Sequence, residues 1–160
     1  MAKTKILVIA IVLMAIVTGS AFAQQYRVVF FAAGNEIWTE PGYLGNVGHA
    51  FVYVEGYGTY GFYPNGRVTK NQALLGVPGI IRDDSNHSYD ASVSFTVTSR
   101  GRDNIISLIN NWRRNPPEYQ LMQNDCVSFV MYVADVIGLD YDYWTTQSPR
   151  AFVNSLDRNN

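Results

Sequence analysis

The chain has little cysteine, little histidine and little net charge, and each shortage excludes a class of protein. Cys126 is the single cysteine among 160 residues, so an intramolecular disulfide, and with it a disulfide-rich scaffold, is excluded. One cysteine and two scattered histidines offer no HExxH or CxxC spacing, and we expect no metal and no cofactor. There is no glycine-rich phosphate loop, and without a basic stripe we do not expect nucleic acid as a partner.

The first 23 residues have the three parts of a secretory signal peptide. Lys3 and Lys5 precede an apolar run at residues 6–17, and a small-x-small site follows, with cleavage expected after Ala23. Twelve apolar residues are too few to span a bilayer, which needs about 20. We therefore expect a secreted or periplasmic protein without a stable membrane anchor after cleavage; an uncleaved anchor is the alternative.

Residues 24–160 suit one domain with a hydrophobic core. Without Lys3 and Lys5, 10 basic residues stand against 13 acidic ones, a net charge of about −3. Strands are predicted at 26–32, 47–55 and 59–63, the last two forming a hairpin, and alternation of Val93, Phe95 and Val97 predicts another. Residues 34–48 are expected to form a long loop, and residues 67–90 are expected to be irregular.

Three helices are predicted in the second half of the chain. The first carries apolar residues at helical spacing from Ile105 to Trp112 and stops at the prolines at 116–117. The second begins near Cys126, with Asn124 or Asp125 as N-cap, and the third opens at 148–149. These patterns predict one α+β domain, a small antiparallel sheet packed against helices.

Cys126 is the strongest candidate for chemistry. At a helix start its sulfur would lie near unpaired backbone N–H groups and the positive end of the helix dipole, which favour the nucleophilic thiolate. The amides of Cys126 and its neighbour would also bind an oxyanion. A buried, inert cysteine is the alternative.

His49 is the candidate base because it opens a strand, where a rigid backbone holds the ring in one orientation. His87 lies in a polar loop and is expected to be solvated. If the hairpin turns through residues 56–58, position 49 faces Asn65, with Tyr63 diagonally beside it, and either would orient the imidazole. Glu55 is too far along the strand.

Three segments carry a resemblance to a known family: GHAFVYV at 48–54, YGFYP at 60–64 and YQLMQNDCVSFV at 119–130. Together they resemble the circularly permuted branch of the NlpC-like papain superfold, which includes the lecithin retinol acyltransferase-like enzymes. The resemblance implies a permuted papain-like fold for 24–160, with Cys126 as nucleophile, preceded by Asn124, and His49 as base. A second histidine of the acyltransferase members is missing near Tyr63, which disfavours phospholipid acyl transfer.

The expected function is that of an exported cysteine hydrolase cutting an amide bond in peptidoglycan peptide or another small peptide. Tyr53 and Tyr60, from an aromatic cluster suited to sugar or peptide, and Asn124 are the expected substrate-binding residues. Two alternatives stay open: a non-catalytic exported binding module on the same fold, and a thioester-linked acyltransferase.

Overall fold

A computed structural model describes residues 24–34, 48–143 and 148–160 of the chain. Within these ranges the strands are β1 (Gln25–Ala33), β2 (His49–Val54), β3 (Gly58–Pro64), β4 (Val77–Asp83), β5 (Ala91–Thr98) and β6 (Glu118–Tyr119). The helices are α1 (Lys70–Leu75), α2 (Ser99–Arg114), α3 (Cys126–Val136) and α4 (Pro149–Asn159). The α+β class is therefore confirmed. The predicted signal peptide and most of the predicted 34–48 loop lie outside the described residues.

The strands form one antiparallel sheet in the order β5-β1-β2-β3-β4-β6. Because side chains alternate along a strand, the sheet has two faces. The helix face packs against α2, α3 and α4 and carries the main core, including Phe30, Ala50, Val52 and Phe62. The second face carries the alternate side chains of the same strands, among them Phe31, His49, Phe51 and Tyr63. In the described part of the chain, no helix is long and apolar enough to cross a bilayer.

The hairpin of β2 and β3 is correctly predicted, but its register is not. Val54 pairs with Gly58 and Phe51 with Gly61, whereas the sequence placed 51 opposite 63 and Asn65 opposite His49. The turn begins one residue earlier than expected, because Tyr57 N–H already donates to the Val54 carbonyl at 3.0 Å. An error of two residues preserves the face, so Tyr63 still lies on the His49 side of the sheet.

Residues 67–90 are more regular than predicted. Thr69 forms a capping box with Gln72 and starts α1. The pair Pro78 and Gly79 looks like a strand breaker, yet β4 runs through both and pairs with β3. Glycine is required at 79 because the Phe62 ring and the Pro117 carbonyl occupy the space that a Cβ would fill. Tertiary packing here overrides local propensity.

The three predicted helices are confirmed. Thr98 caps α2, which ends before the two prolines, and Ser148 caps α4 with Pro149 in its first turn. Of the two N-cap candidates for α3, the structure selects Asp125. Gly138 follows this helix with a left-handed φ of 72°, a conformation that glycine adopts readily after a helix end.

Candidate functional site

Cys126 is the first residue of α3, and the turn before it is built around Asp125. The Asp125 carboxylate accepts hydrogen bonds from the backbone N–H groups of Val127 at 3.0 Å, Ser128 at 3.2 Å and Met122 at 2.8 Å. These bonds satisfy donors that a helix start leaves without partners. The carboxylate thereby fixes the point at which the helix begins and the position of the thiol.

The Cys126 thiol is buried, with 6% of the residue exposed. Burial raises the pKa of this thiol and the nearby Asp125 carboxylate raises it further, while backbone N–H groups of Ala50, Val127 and Cys126 itself lower it. Burial outweighs the amides, so the pKa of the thiol is raised, which is opposite to the lowering that the helix position alone predicts.

A cavity of about 230 Å³ lies against the thiol. Gly48, Tyr119, Met122 and Pro149 form part of its wall, together with Cys126 itself. Met122 is more than half exposed and has a φ of 68°, the one left-handed non-glycine residue in the described part of the chain. Backbone strain of this kind is retained where surrounding structure holds it, often beside a functional site.

His49 lies on the second face and is held by a residue that sequence reasoning missed. Its Nε2 is 3.0 Å from Asp84 Oδ2, and both side chains are only 4% exposed. Tyr63 donates its hydroxyl hydrogen to the other oxygen, Asp84 Oδ1, at 2.6 Å. The His49 ring packs against the rings of Tyr63, at 4.4 Å between centroids, and Phe51, at 5.5 Å. Asp84 thus orients the imidazole, and Tyr63 orients Asp84.

His87 was predicted to be a solvated loop residue, and the structure corrects this. Its ring centroid lies 4.9 Å from those of both His49 and Phe51. The loop after β4 folds back over the second face, and His87 N–H donates to the Asp84 carbonyl at 2.9 Å. The two histidines of the chain therefore share one cluster.

The thiol and the imidazole approach the same end of β2 from different sides. Ala50 and Cys126 both belong to the core of the helix face. The ring of the preceding residue, His49, packs on the second face, against Phe51. Pairing between β2 and β3 ends at Phe51 and Gly61, so at this end β2 pairs only with β1, and β3 only with β4. Among the described residues, no hydrogen bond joins Cys126 Sγ to the His49 ring.

The remaining predicted site residues lie elsewhere. Asn65 is exposed beyond the paired part of β3, and its N–H donates to the Pro78 carbonyl, so it does not face His49. Asn124 Nδ2 donates to the Glu118 carbonyl at 2.6 Å and thereby closes the turn before α3. Tyr60 packs against the core, where burial raises its pKa, and its ring lies under Arg113.

Tyr53 lies on the second face, under the Arg27 guanidinium. Neither it nor Asn124 nor Tyr60 lines the cavity at Cys126. The structure therefore joins His49 and Tyr63 of the predicted set and adds Asp84 to them. Asp84 gave no sequence signal, because an aspartate in the run DDSNHS is ordinarily solvated.

Comparison with known proteins identifies no relative: no family model, no curated protein and no solved structure matches this chain.

Proposed function

We propose that the protein is an exported cysteine hydrolase of the permuted papain-like type that cleaves an amide bond in peptidoglycan peptide or another small peptide. One observation supports this most: Cys126 lines the same cavity as Gly48, the residue directly before His49, whose ring is held by a buried carboxylate. A thiol, an oriented imidazole and several N–H groups at one strand end are the parts that acyl transfer to sulfur requires.

A protonated thiol needs a base at the moment of attack, because its pKa is raised by burial. His49 takes the proton, and because its ring packs on the second face while Cys126 lies on the helix face, the two groups must move toward each other at the end of β2 for the transfer. The sulfur then attacks the carbonyl carbon, and the negative charge that develops on oxygen is stabilised by backbone N–H groups at the start of α3. Asp84 stabilises the imidazolium, as the carboxylate of a catalytic triad does.

The second half of the reaction follows from the same groups. His49 returns the proton to the departing amine, which leaves a thioester on Cys126. Water, deprotonated by His49, then releases the acid and restores the thiol. Among the described residues of the cavity wall, Lys70 and Asp125 are charged, and Asp125 is occupied in capping the helix. Lys70 is therefore the wall cation that would meet a substrate carboxylate.

Substitution of the thiol tests this proposal. Cys126→Ala is expected to abolish hydrolysis of purified peptidoglycan peptides while the melting temperature stays nearly unchanged, and Cys126→Ser is expected to lose at least about a hundredfold in rate. Mass spectrometry of the wild type with an ester or amide substrate should trap an acyl group on Cys126. Undiminished hydrolysis by Cys126→Ala would reject the proposal.

A second function, a non-catalytic binding module, is favoured by a different observation. The thiol has a raised pKa and, among the described residues, no hydrogen bond to the His49 ring. In that case, alkylation of Cys126 by iodoacetamide would be slow at neutral pH and unaffected by His49→Gln. If instead His49→Gln slows alkylation at least several-fold, the imidazole assists the thiol and the hydrolase is favoured.

A further inference from the structure

A groove of about 490 Å³ runs across the second face of the sheet, away from the thiol. We call it the second-face groove; its wall residues come from β1, β2, β3, β5 and the loop before β5. Its volume lies in the range of small-molecule sites, about 300–1,000 Å³. Among the described residues, its wall combines aromatic rings, hydroxyl groups and one cation.

The rings of the second-face groove are Phe31, Tyr53 and Tyr89. The Tyr89 ring is exposed, with 56% of the residue accessible, yet it is held at 4.5 Å between centroids on the Phe31 ring. Phe31 in turn stacks on Phe51 at 4.9 Å, which fixes this stack from below. A large ring left exposed but immobilised is suited to stacking against the apolar face of a ligand.

Hydroxyl groups lie beside these rings on neighbouring strands of the sheet. Ser94 pairs with Val29, Val29 with Tyr53, and Tyr53 with Thr59, so one row crosses four adjacent strands. Three interstrand spacings make this row about 14 Å long. Ser92, opposite Phe31, adds a second exposed hydroxyl to the same side. A ligand that fits would be extended, with apolar ring faces and hydrogen-bonding groups at its edges.

Arg27 is the charged residue of the groove wall. Its guanidinium lies 5.6 Å from the Tyr53 ring centroid, a cation–π contact that holds it over the groove. Glu55 accepts from the Arg27 backbone N–H at 2.6 Å rather than from the guanidinium. Within the described residues no ion pair neutralises Arg27, so the N–H groups of its guanidinium are available to a carboxylate.

We infer that the second-face groove binds an acidic saccharide: pyranose rings stack on Tyr53 and Tyr89, ring hydroxyls meet Ser92, Ser94 and Thr59, and a carboxylate meets Arg27. Sugars have the required apolar faces and polar edges, and the unpaired cation selects a carboxylate-bearing one. This inference does not depend on the chemistry of Cys126, because the groove lies on the other face of the sheet.

The test is calorimetric titration of the full chain carrying Cys126→Ala, which separates binding from turnover. The probes are trigalacturonate, which is acidic, and tri-N-acetylchitotriose, which is neutral. We expect saturable binding of the acidic trisaccharide, weakened about tenfold or more by Arg27→Gln, which removes one charge-assisted contact. Tyr89→Ala should weaken binding by a similar factor.

Matched controls are Arg113→Gln and Tyr132→Ala. Arg113 lies 5.5 Å from the Tyr60 ring, a contact like that of Arg27 but outside the groove, and Tyr132 is a half-exposed tyrosine on α3. Both should leave the affinity unchanged. The inference is overturned if neither saccharide binds at millimolar concentration, if Arg27→Gln and Tyr89→Ala bind as the parent does, or if the neutral saccharide binds as tightly as the acidic one.

Discussion

His49 Nε2 and Asp84 Oδ2 lie 3.0 Å apart, and both side chains are almost entirely shielded from water. The two residues are 35 positions apart and meet because the loop after β4 folds back over the second face. A buried carboxylate needs its hydrogen bonds satisfied, and Tyr63 supplies the second one. His49, Asp84 and Tyr63 thus form one buried, hydrogen-bonded trio on the second face.

Loss of the Asp84 carboxylate should destabilise the protein. Asp84→Ala leaves two buried donors, His49 Nε2–H and the Tyr63 hydroxyl, without their acceptor, which costs about 2–3 kcal/mol of unfolding free energy. Urea denaturation followed by circular dichroism measures this. Asp83→Asn, at the neighbouring exposed position, is the matched control and should leave the midpoint nearly unchanged. An unaltered midpoint for Asp84→Ala would show that the trio contributes nothing to stability.

A methyl group at position 61 should disturb the same pair. A Cβ added to Gly61 would lie 2.5 Å from His49 Nε2 and closer still to the Asp84 carboxylate. Gly61→Ala is therefore expected to lower both stability and any hydrolytic activity, because the ring and the carboxylate must separate. Gly101→Ala in α2 is the control, since its methyl meets nothing nearer than 3.3 Å. Wild-type stability and activity in Gly61→Ala would contradict the geometry.

The N-cap of α3 should control both stability and thiol reactivity. Asp125→Ala removes the acceptor for three backbone N–H groups and is expected to cost about 1–2 kcal/mol. Asp125→Asn retains a capping oxygen but removes the negative charge that raises the thiol pKa. We expect it to alkylate faster than the wild type at pH 8, as measured with iodoacetamide. A slower reaction would mean that the carboxylate does not act on the thiol electrostatically.

The raised thiol pKa makes stability depend on alkaline pH. Below the unfolded thiol pKa of about 8.5, both states hold the proton and the group contributes no pH dependence. Above it, the unfolded state releases the proton and the folded state retains it, so stability falls by about 1.4 kcal/mol per pH unit.

Melting temperatures between pH 7 and 10 test this, with Cys126→Ala as the comparison. The variant should lose less stability over this range than the wild type does. Tyr119, whose pKa is raised by burial and also by Cys126, contributes little in this range because an unfolded tyrosine holds its proton up to about pH 10. Parallel pH profiles for the two proteins would show that the thiol pKa is not raised on folding.

The residues themselves determined the local elements of this protein. A capping aspartate and an apolar stripe are sufficient to start a helix at Cys126, and strict alternation is sufficient to define β5, because both signals act within a few residues. The α+β class and the positions of the candidate thiol and histidine followed from these signals. The secretory signal peptide stays a prediction of the sequence.

Tertiary structure alone decided which groups meet. Asp84 is buried because the loop that it begins folds over the second face, 35 positions away from His49 in sequence. The strand β4 passes through Pro78 and Gly79, where the Phe62 ring and the Pro117 carbonyl fill the space that a Cβ at position 79 would occupy. The turn of the hairpin set the register that brought Tyr63 beside His49. Burial also raises the pKa of the thiol, opposite to the direction that the helix start alone predicts. Desolvation and long-range packing depend on chain segments far apart in sequence, which periodicity and propensity do not encode.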